Sequence, residues 1–328
     1  MTDFNSIYGN ELVVRNLKNA CMYNRVAHCY MITGEKGLGK KTIAKAFAKS
    51  IQCECGNEPC GKCSSCIQVE NEDHPDVIYV RHEKPNTFSV DDIRDGLNRS
   101  IMIKPYKSEK KIYILEDGEL LNQQAQNAML KTIEEPPEYG VIIILTENSE
   151  AFLPTIKSRC VELNMGYVSN EQIKACLIGR GVDASRINDE VLSFAAGNIG
   201  KAILYLEDDA YQKLVWTVKD VFYRICDADS VELHDAVERL SVYKDNIRWV
   251  IELLRRMFTD MFLCKSGAKA LVGEEEGDKL MRLAEHYSYS DLPRIISQTE
   301  LFMARQKVNV NIELSLELML MELKPGKV

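Results

Sequence analysis

The chain has no strictly apolar run longer than five residues, Val141–Leu145. A helix needs roughly 20 to cross a bilayer, so no membrane-spanning helix is expected. Positive charge is in deficit: 41 Lys and Arg against 49 Asp and Glu give a net charge of −8 and a pI near 5.4. A surface that gripped nucleic acid by its own field would be basic, so any DNA contact is expected to be local or shared with partners. The opening MTDFNSIYGN has neither a basic leader nor an apolar core, and a cytoplasmic location without a signal peptide is expected. In that setting the eleven cysteines are not a disulfide scaffold. No repeat and no low-complexity tract is present, which excludes solenoids and long linkers.

A length of 328 residues exceeds one ordinary hydrophobic core, so two or three domains are expected. The first half alternates short apolar runs with amphipathic stretches. Tyr30–Thr33, Asp76–Val80, Ile112–Leu115 and Val141–Leu145 read as strands. Residues 41–53, 90–101 and 122–135 read as helices, the last stopped by Pro136 and Pro137. Buried strands between helices mean a parallel sheet covered on both faces. After Cys160 no further strand is expected. Residues 168–208 read as a small helical unit punctuated by Gly181, Gly197 and Gly200. Beyond it lie a long helix carrying Val250, Ile251, Leu254, Met257, Phe258, Met261 and Phe262 on one face, and a Leu- and Met-rich segment over 308–323.

What is missing inside one motif is as informative. GEKGLGKKT, residues 34–42, follows the phosphate-binding pattern G-x-x-x-x-G-K-[ST] until its last position. Gly34, Gly37, Gly39 and Lys40 supply the turn, the convergent backbone N–H groups and the ammonium. Lys41 stands where a hydroxyl should ligate Mg²⁺, and Thr42 arrives about 100° further round the helix. The strand Ile112–Leu115 ends in Glu116-Asp117, the reverse of the Asp-Glu order expected of an NTPase. Phosphate or nucleotide binding (ATP or ADP) stays open; Mg²⁺-assisted hydrolysis is not expected. Thr146 and Asn148, at the end of the next strand, occupy the region expected to sense a γ-phosphate, and His28 is expected to be packed.

Cys60-x₂-Cys63-x₂-Cys66, with Cys53 and Cys55 upstream, has the spacing of a closed tetrahedral zinc site, a structural Zn²⁺ module over about 53–66. Cys53 is the preferred fourth ligand and Cys55 the alternative; His74 reads as an ordinary loop histidine. Lys104, Lys107, Lys110 and Lys111 read as a solvated basic loop, with contact to a DNA backbone or a partner as the other reading.

These features, with Asn127–Pro137 (NAMLKTIEEPP) and Ser158-Arg159-Cys160 in that order, resemble the bacterial AAA+ clamp-loader proteins of DNA polymerase III. The resemblance covers about residues 1–208 by motif and the remainder only by helical character and length. It implies an α/β AAA+ P-loop domain with a zinc-binding insertion at 1–165, a helical lid at 166–208 and an all-α collar domain at 209–328 that joins a hetero-oligomeric ring. It implies motor subunits of the gamma/tau type and a delta subunit as partners. The sliding clamp and primer-template DNA would be reached through the assembled complex. It further implies that Arg159 is an arginine finger supplied in trans to a neighbour's ATP.

Motor members keep a hydroxyl after the P-loop lysine, keep Asp-Glu, and carry a sensor arginine where this chain has Gly200. The three departures imply a non-hydrolysing stator that is not catalytic on its own. Two other readings stay open: an ATP-hydrolysing motor subunit, and a zinc-dependent DNA-binding module.

Overall fold

The computed structural model describes residues 2–84, 87–268, 274–305 and 311–325. The chain divides into two compact units, Met1–Val182 with Gly197–Lys201, and Asp183–Ala196 with Ala202–Val328.

The first unit is built on five parallel strands: β1 (Cys29–Thr33), β2 (Val77–Val80), β3 (Lys111–Leu115), β4 (Gly140–Thr146) and β5 (Val161–Asn164). They lie in the order β2-β3-β4-β1-β5. Successive side chains of a strand point to opposite faces, and the core divides accordingly. Tyr30, Ile32, Ile112, Ile114, Val141 and Ile143 join one apolar cluster, while Met31, Tyr113, Leu115, Ile142 and Ile144 join another. Helices α1 (Glu11–Met22) and α2 (Lys40–Gln52) contribute Val13, Leu17, Ile43 and Phe47 to the first. The other is closed by α4 (Val90–Ile93) and α5 (Gln123–Glu134), through Ile93, Ala125, Met129 and Ile133. Between them α3 (Ser64–Asn71) follows the cysteine-rich loop. A short α6 (Pro154–Lys157) precedes β5, and α7 (Asn170–Gly179) follows it.

Two expectations are corrected. Strands do not end before Cys160: β5 pairs with β1 through Tyr30↔Val161 and Ile32↔Leu163. Its sequence VELN buries only Leu163, because an edge strand needs a single covered position, so it leaves no apolar run to read. The helix expected over 90–101 is also not uniform, since Arg94–Arg99 forms a wider π-type turn. There Gly96 approaches β2 so closely that a Cβ would lie 2.9 Å from Val80 Cγ1.

The second unit is helical: α8 (Asp189–Ala195), the greater part of α9 (Ile199–Glu207), α10 (Asp209–Arg224), α11 (Ser230–Ser241), α12 (Ile247–Lys265), α13 (Glu274–Ala284), α14 (Asp291–Arg305) and α15 (Ile312–Leu323). The anticipated stripe on α12 is buried from Val250 to Met261, with Phe262 half-buried. It packs against Leu214, Phe222, Leu292, Ile295 and Leu320. Of the terminal segment anticipated over 308–323, residues 308–310 lie outside the described residues. No described helix is long and apolar enough to cross a membrane.

Candidate functional site

The phosphate-loop motif sits where its chemistry requires, between the end of β1 and the first residue of α2. Gly34 N–H bonds to Thr146 O across the sheet, and Gly37 and Gly39 take φ of 93° and 92°, a region that side chains rarely tolerate. The lysine, however, is turned onto the loop itself. Lys40 Nζ donates to Gly34 O at 2.5 Å and Glu35 O at 3.2 Å. Burial lowers its pKa, opposed by the carboxylates of Glu147, Glu119, Asp117 and Glu35.

Lys41 occupies the hydroxyl's place with an ammonium. Its Nζ lies 2.8 Å from Glu116 Oε1 and 3.2 Å from Glu72 Oε1, and 5.4 Å from the Tyr79 ring centroid. Some desolvation lowers its pKa, but the two carboxylates outweigh it and hold the ammonium charged. Asp117 turns away: it adopts φ 53° and its carboxylate faces His82 at 3.6 Å. Thr146 and Asn148 are engaged locally. Thr146 Oγ1 donates to Glu119 at 3.1 Å, and Asn148 Oδ1 accepts from Glu150 N–H at 2.9 Å. The hydroxyl of a P-loop NTPase and its strand-end acid share Mg²⁺; here one cation of the chain is shared between those two positions. The residues present do not fit a bound Mg²⁺.

A segment from far along the chain completes this arrangement. Gly200 N–H bonds to Gly37 O at 3.0 Å, and Asn198 Nδ2 donates to Lys36 O at 2.8 Å and Glu35 Oε2 at 3.3 Å. Lys201 Nζ pairs with Glu35 Oε1 at 2.5 Å. A Cβ on Gly200 would lie 2.5 Å from Gly37 Cα. Hence no side chain, arginine included, fits at 200 without displacing the loop. Gly200 is not the punctuation expected: it lies inside α9, and its smallness serves backbone contact. Asn198, Glu35 and Glu72 were not singled out from sequence, since each earns its place through a partner distant in the chain.

The cysteine cluster is gathered. The Sγ atoms of Cys53, Cys55, Cys60 and Cys63 all lie within 4.8 Å of one another. Cys66 Sγ lies 4.0 Å from Cys60 Sγ and is nearly fully buried. Cys60 Sγ accepts N–H bonds from Lys62 and Cys63, and Cys63 Sγ one from Cys66. The backbone donors at Lys62 and Cys63 pull the Cys60 thiol down to about 6, favouring the thiolate that ligates metal. Sulfurs around a tetrahedral Zn²⁺ at about 2.3 Å stand roughly 3.8 Å apart, so these residues fit such an ion. His74 is outside the group, buried between Ser65 Oγ and Asp76 N–H.

Arg159 follows α6 at the surface. Its guanidinium meets Glu134 Oε1 at 3.1 Å and Thr155 O at 2.9 Å, with the side chain 38% exposed. This pairing joins the two sequence signatures, since Glu134 closes the helix of NAMLKTIEEPP. The basic stretch is largely committed. Lys107 Nζ meets Glu54 at 3.0 Å, Lys110 Nζ bonds to Glu138 O at 2.7 Å, and Lys111 is buried with Nζ on Ser100 O and Ile103 O. A solvated loop is therefore a correction for Lys111, which is buried at the start of β3, whereas Lys107 is exposed and Lys110 half-buried. His28 is half-buried, its carbonyl accepting from Ile142 N–H.

With this geometry in place, the likeness to known proteins can be assigned. Residues 9–168 match the family described as "DNA polymerase III, delta subunit". DNA polymerase III subunit gamma of Buchnera aphidicola is 32% identical over 211 residues, covering 62% of this chain and 58% of that protein. Subunit tau of Bacillus subtilis is 32% identical over 212 residues, covering 62% and 37%, and subunit tau of Escherichia coli 32% over 173, covering 52% and 26%. The chain thus spans from about a quarter to somewhat over half of these relatives. Among solved structures, a gamma subunit-related protein of Thermotoga maritima aligns over 94% of this chain and 98% of its own, at 17% identity and a TM-score of 0.45. Over residues 9–168, the part that carries the phosphate loop, the cysteine cluster and Arg159, the chain is similar to the DNA polymerase III clamp-loader subunits.

Proposed function

We propose that this protein is a delta-prime-type stator of the DNA polymerase III clamp loader, a subunit that does not hydrolyse ATP itself. The observation that carries this reading is the Lys41–Glu116 ion pair at 2.8 Å, which puts a fixed ammonium between the two positions a hydrolysing member would give to Mg²⁺. The approach of Gly200 to Gly37 supports it, because the sensor arginine of a motor has no room there.

In this reading the working residue is Arg159. Its guanidinium offers several fixed donors to phosphate oxygens and is held at the surface, by a half-exposed Glu134 and by Thr155 O. It would exchange that carboxylate for the γ-phosphate of ATP held by an adjacent gamma/tau subunit, a contribution of about 10³–10⁵ in rate in comparable systems. The helical residues 209–328 would join the collar with the motor and delta subunits, with 1–165 as the AAA+ domain and 166–208 as the lid. The sliding clamp and primed DNA would be engaged by the assembled ring. Cys53, Cys60, Cys63 and Cys66 would hold a structural Zn²⁺, with Cys55, whose sulfur is gathered with those of Cys53, Cys60 and Cys63, as the alternative to Cys53.

In a reconstituted clamp loader, Arg159→Ala should sharply lower clamp- and DNA-stimulated ATPase while the complex still assembles on gel filtration. Unchanged ATPase would sink the arginine-finger role. A motor reading is favoured by the names of the relatives, gamma and tau. Turnover by the purified chain that Lys40→Ala abolishes would establish it instead.

A further inference from the structure

Two cysteines outside the metal cluster are left unexplained by this function. Cys29 opens β1 and is fully buried, whereas Cys160, just before β5, is partly exposed. Their sulfurs are 3.0 Å apart. They immediately precede the paired residues Tyr30 and Val161 of two hydrogen-bonded parallel strands. Neighbouring strands run about 4.8 Å apart, within the span of about 4.4–6.8 Å that a disulfide bridges between Cα atoms. Both thiols are free, and the sheet already holds them side by side.

We propose that Cys29 and Cys160 are a reversible disulfide pair, oxidised by a peroxide, that staples β5 to β1 directly beside Arg159. The partly exposed Cys160 meets the oxidant. Its thiolate attacks one peroxide oxygen, the O–O bond breaks, and the departing hydroxide is protonated to water, leaving a sulfenic acid on Cys160. Cys29 sulfur then attacks Cys160 sulfur, the S–O bond breaks, and the leaving hydroxide takes the Cys29 proton as a second water. Each sulfur gives up one electron and the peroxide accepts two. The order follows from the environments: the hydrogen bond to Cys160 and burial push the Cys29 thiol well above its usual range, so Cys29 is the resolving and not the attacking group towards peroxide. Once closed, the bond tethers the backbone of Ser158-Arg159-Cys160 to a central strand.

The test is peptide mapping of the full chain, before and after hydrogen peroxide. A linked peptide joining Cys29 and Cys160 should appear, alkylation of Cys160 after unfolding should fall by about tenfold or more, and dithiothreitol should restore it. In Cys29→Ala the sulfenic acid cannot be resolved, and dimedone should label Cys160. Peroxide that oxidises other cysteines, or carries Cys160 to a sulfinic acid, without a Cys29–Cys160 peptide would overturn the pair. Should Cys29→Ala fail to fold, the linked peptide in the unaltered chain decides alone. This outcome is independent of the stator reading, which the ATPase assay judges.

Discussion

The ammonium of Lys41 stands 2.8 Å from the carboxylate of Glu116, so the residue after the P-loop lysine and the acid at the end of β3 are joined by the chain's own charge. Lys41→Thr restores the motif's hydroxyl but leaves Glu116 and Glu72 facing each other. Because Lys41 is 44% exposed, the loss in stability should be modest, about 0.5–1 kcal/mol in denaturant titrations. Phosphate release from ATP should stay at background, since Gly200 still lies against Gly37. Turnover gained by this single change would show that position 41 alone had silenced the site.

The pairing of Glu35 with Lys201 makes the contact of 197–201 with the loop sensitive to acid. Burial pushes the Glu35 carboxyl up, but the Lys201 ammonium and hydrogen bonds from Lys201 and Asn198 bring it below its ordinary 4.5. A carboxyl whose folded pKa is depressed contributes stability that is complete above the unfolded value and is lost as pH falls through the folded one. Lys201→Met should therefore cost about 1–2 kcal/mol at pH 7. The gap between variant and parent should narrow below pH 4.5, as both lose the carboxylate. A difference that persists unchanged in thermal melts at low pH would argue that Lys201 acts through packing alone.

Among the five clustered cysteines, burial separates two roles. Cys66 is 1% exposed, whereas Cys55 is exposed. Cys66→Ser should weaken zinc binding strongly in competition with a chromophoric chelator, and Cys55→Ser should change it little. Cobalt substitution gives a second reading, with the intense thiolate charge-transfer band of four-sulfur coordination kept in Cys55→Ser and diminished in Cys66→Ser. The reverse order would make Cys55 the ligand.

The ion pair between Arg159 and Glu134, with side chains 38% and 45% exposed, is of the kind worth about 0–1 kcal/mol. Arg159→Ala should accordingly melt close to the parent protein. A loss well beyond that range would mean that the arginine holds its own domain together, and the ATPase test would no longer isolate its effect on a neighbour.

Much of this was legible in one dimension. The apolar runs that became β1 to β4 are buried on both faces, so periodicity and composition alone expose them. The failure of the P-loop at Lys41 and the spacing of Cys60, Cys63 and Cys66 are likewise local facts, written within a turn or two of chain. The strand β5 was not legible, because an edge strand with one buried residue carries no run of its own.

What the tertiary structure alone decided are the partnerships. Glu116 and Glu72 meet Lys41, Asn198 and Lys201 meet Glu35, Glu134 meets Arg159, and Cys29 meets Cys160. Each is an interaction between segments distant in sequence. Charge and thiol chemistry are printed in the residues, but which charge or which thiol stands opposite is set only when the sheet order and the return of residues 197–201 bring them within a few ångströms.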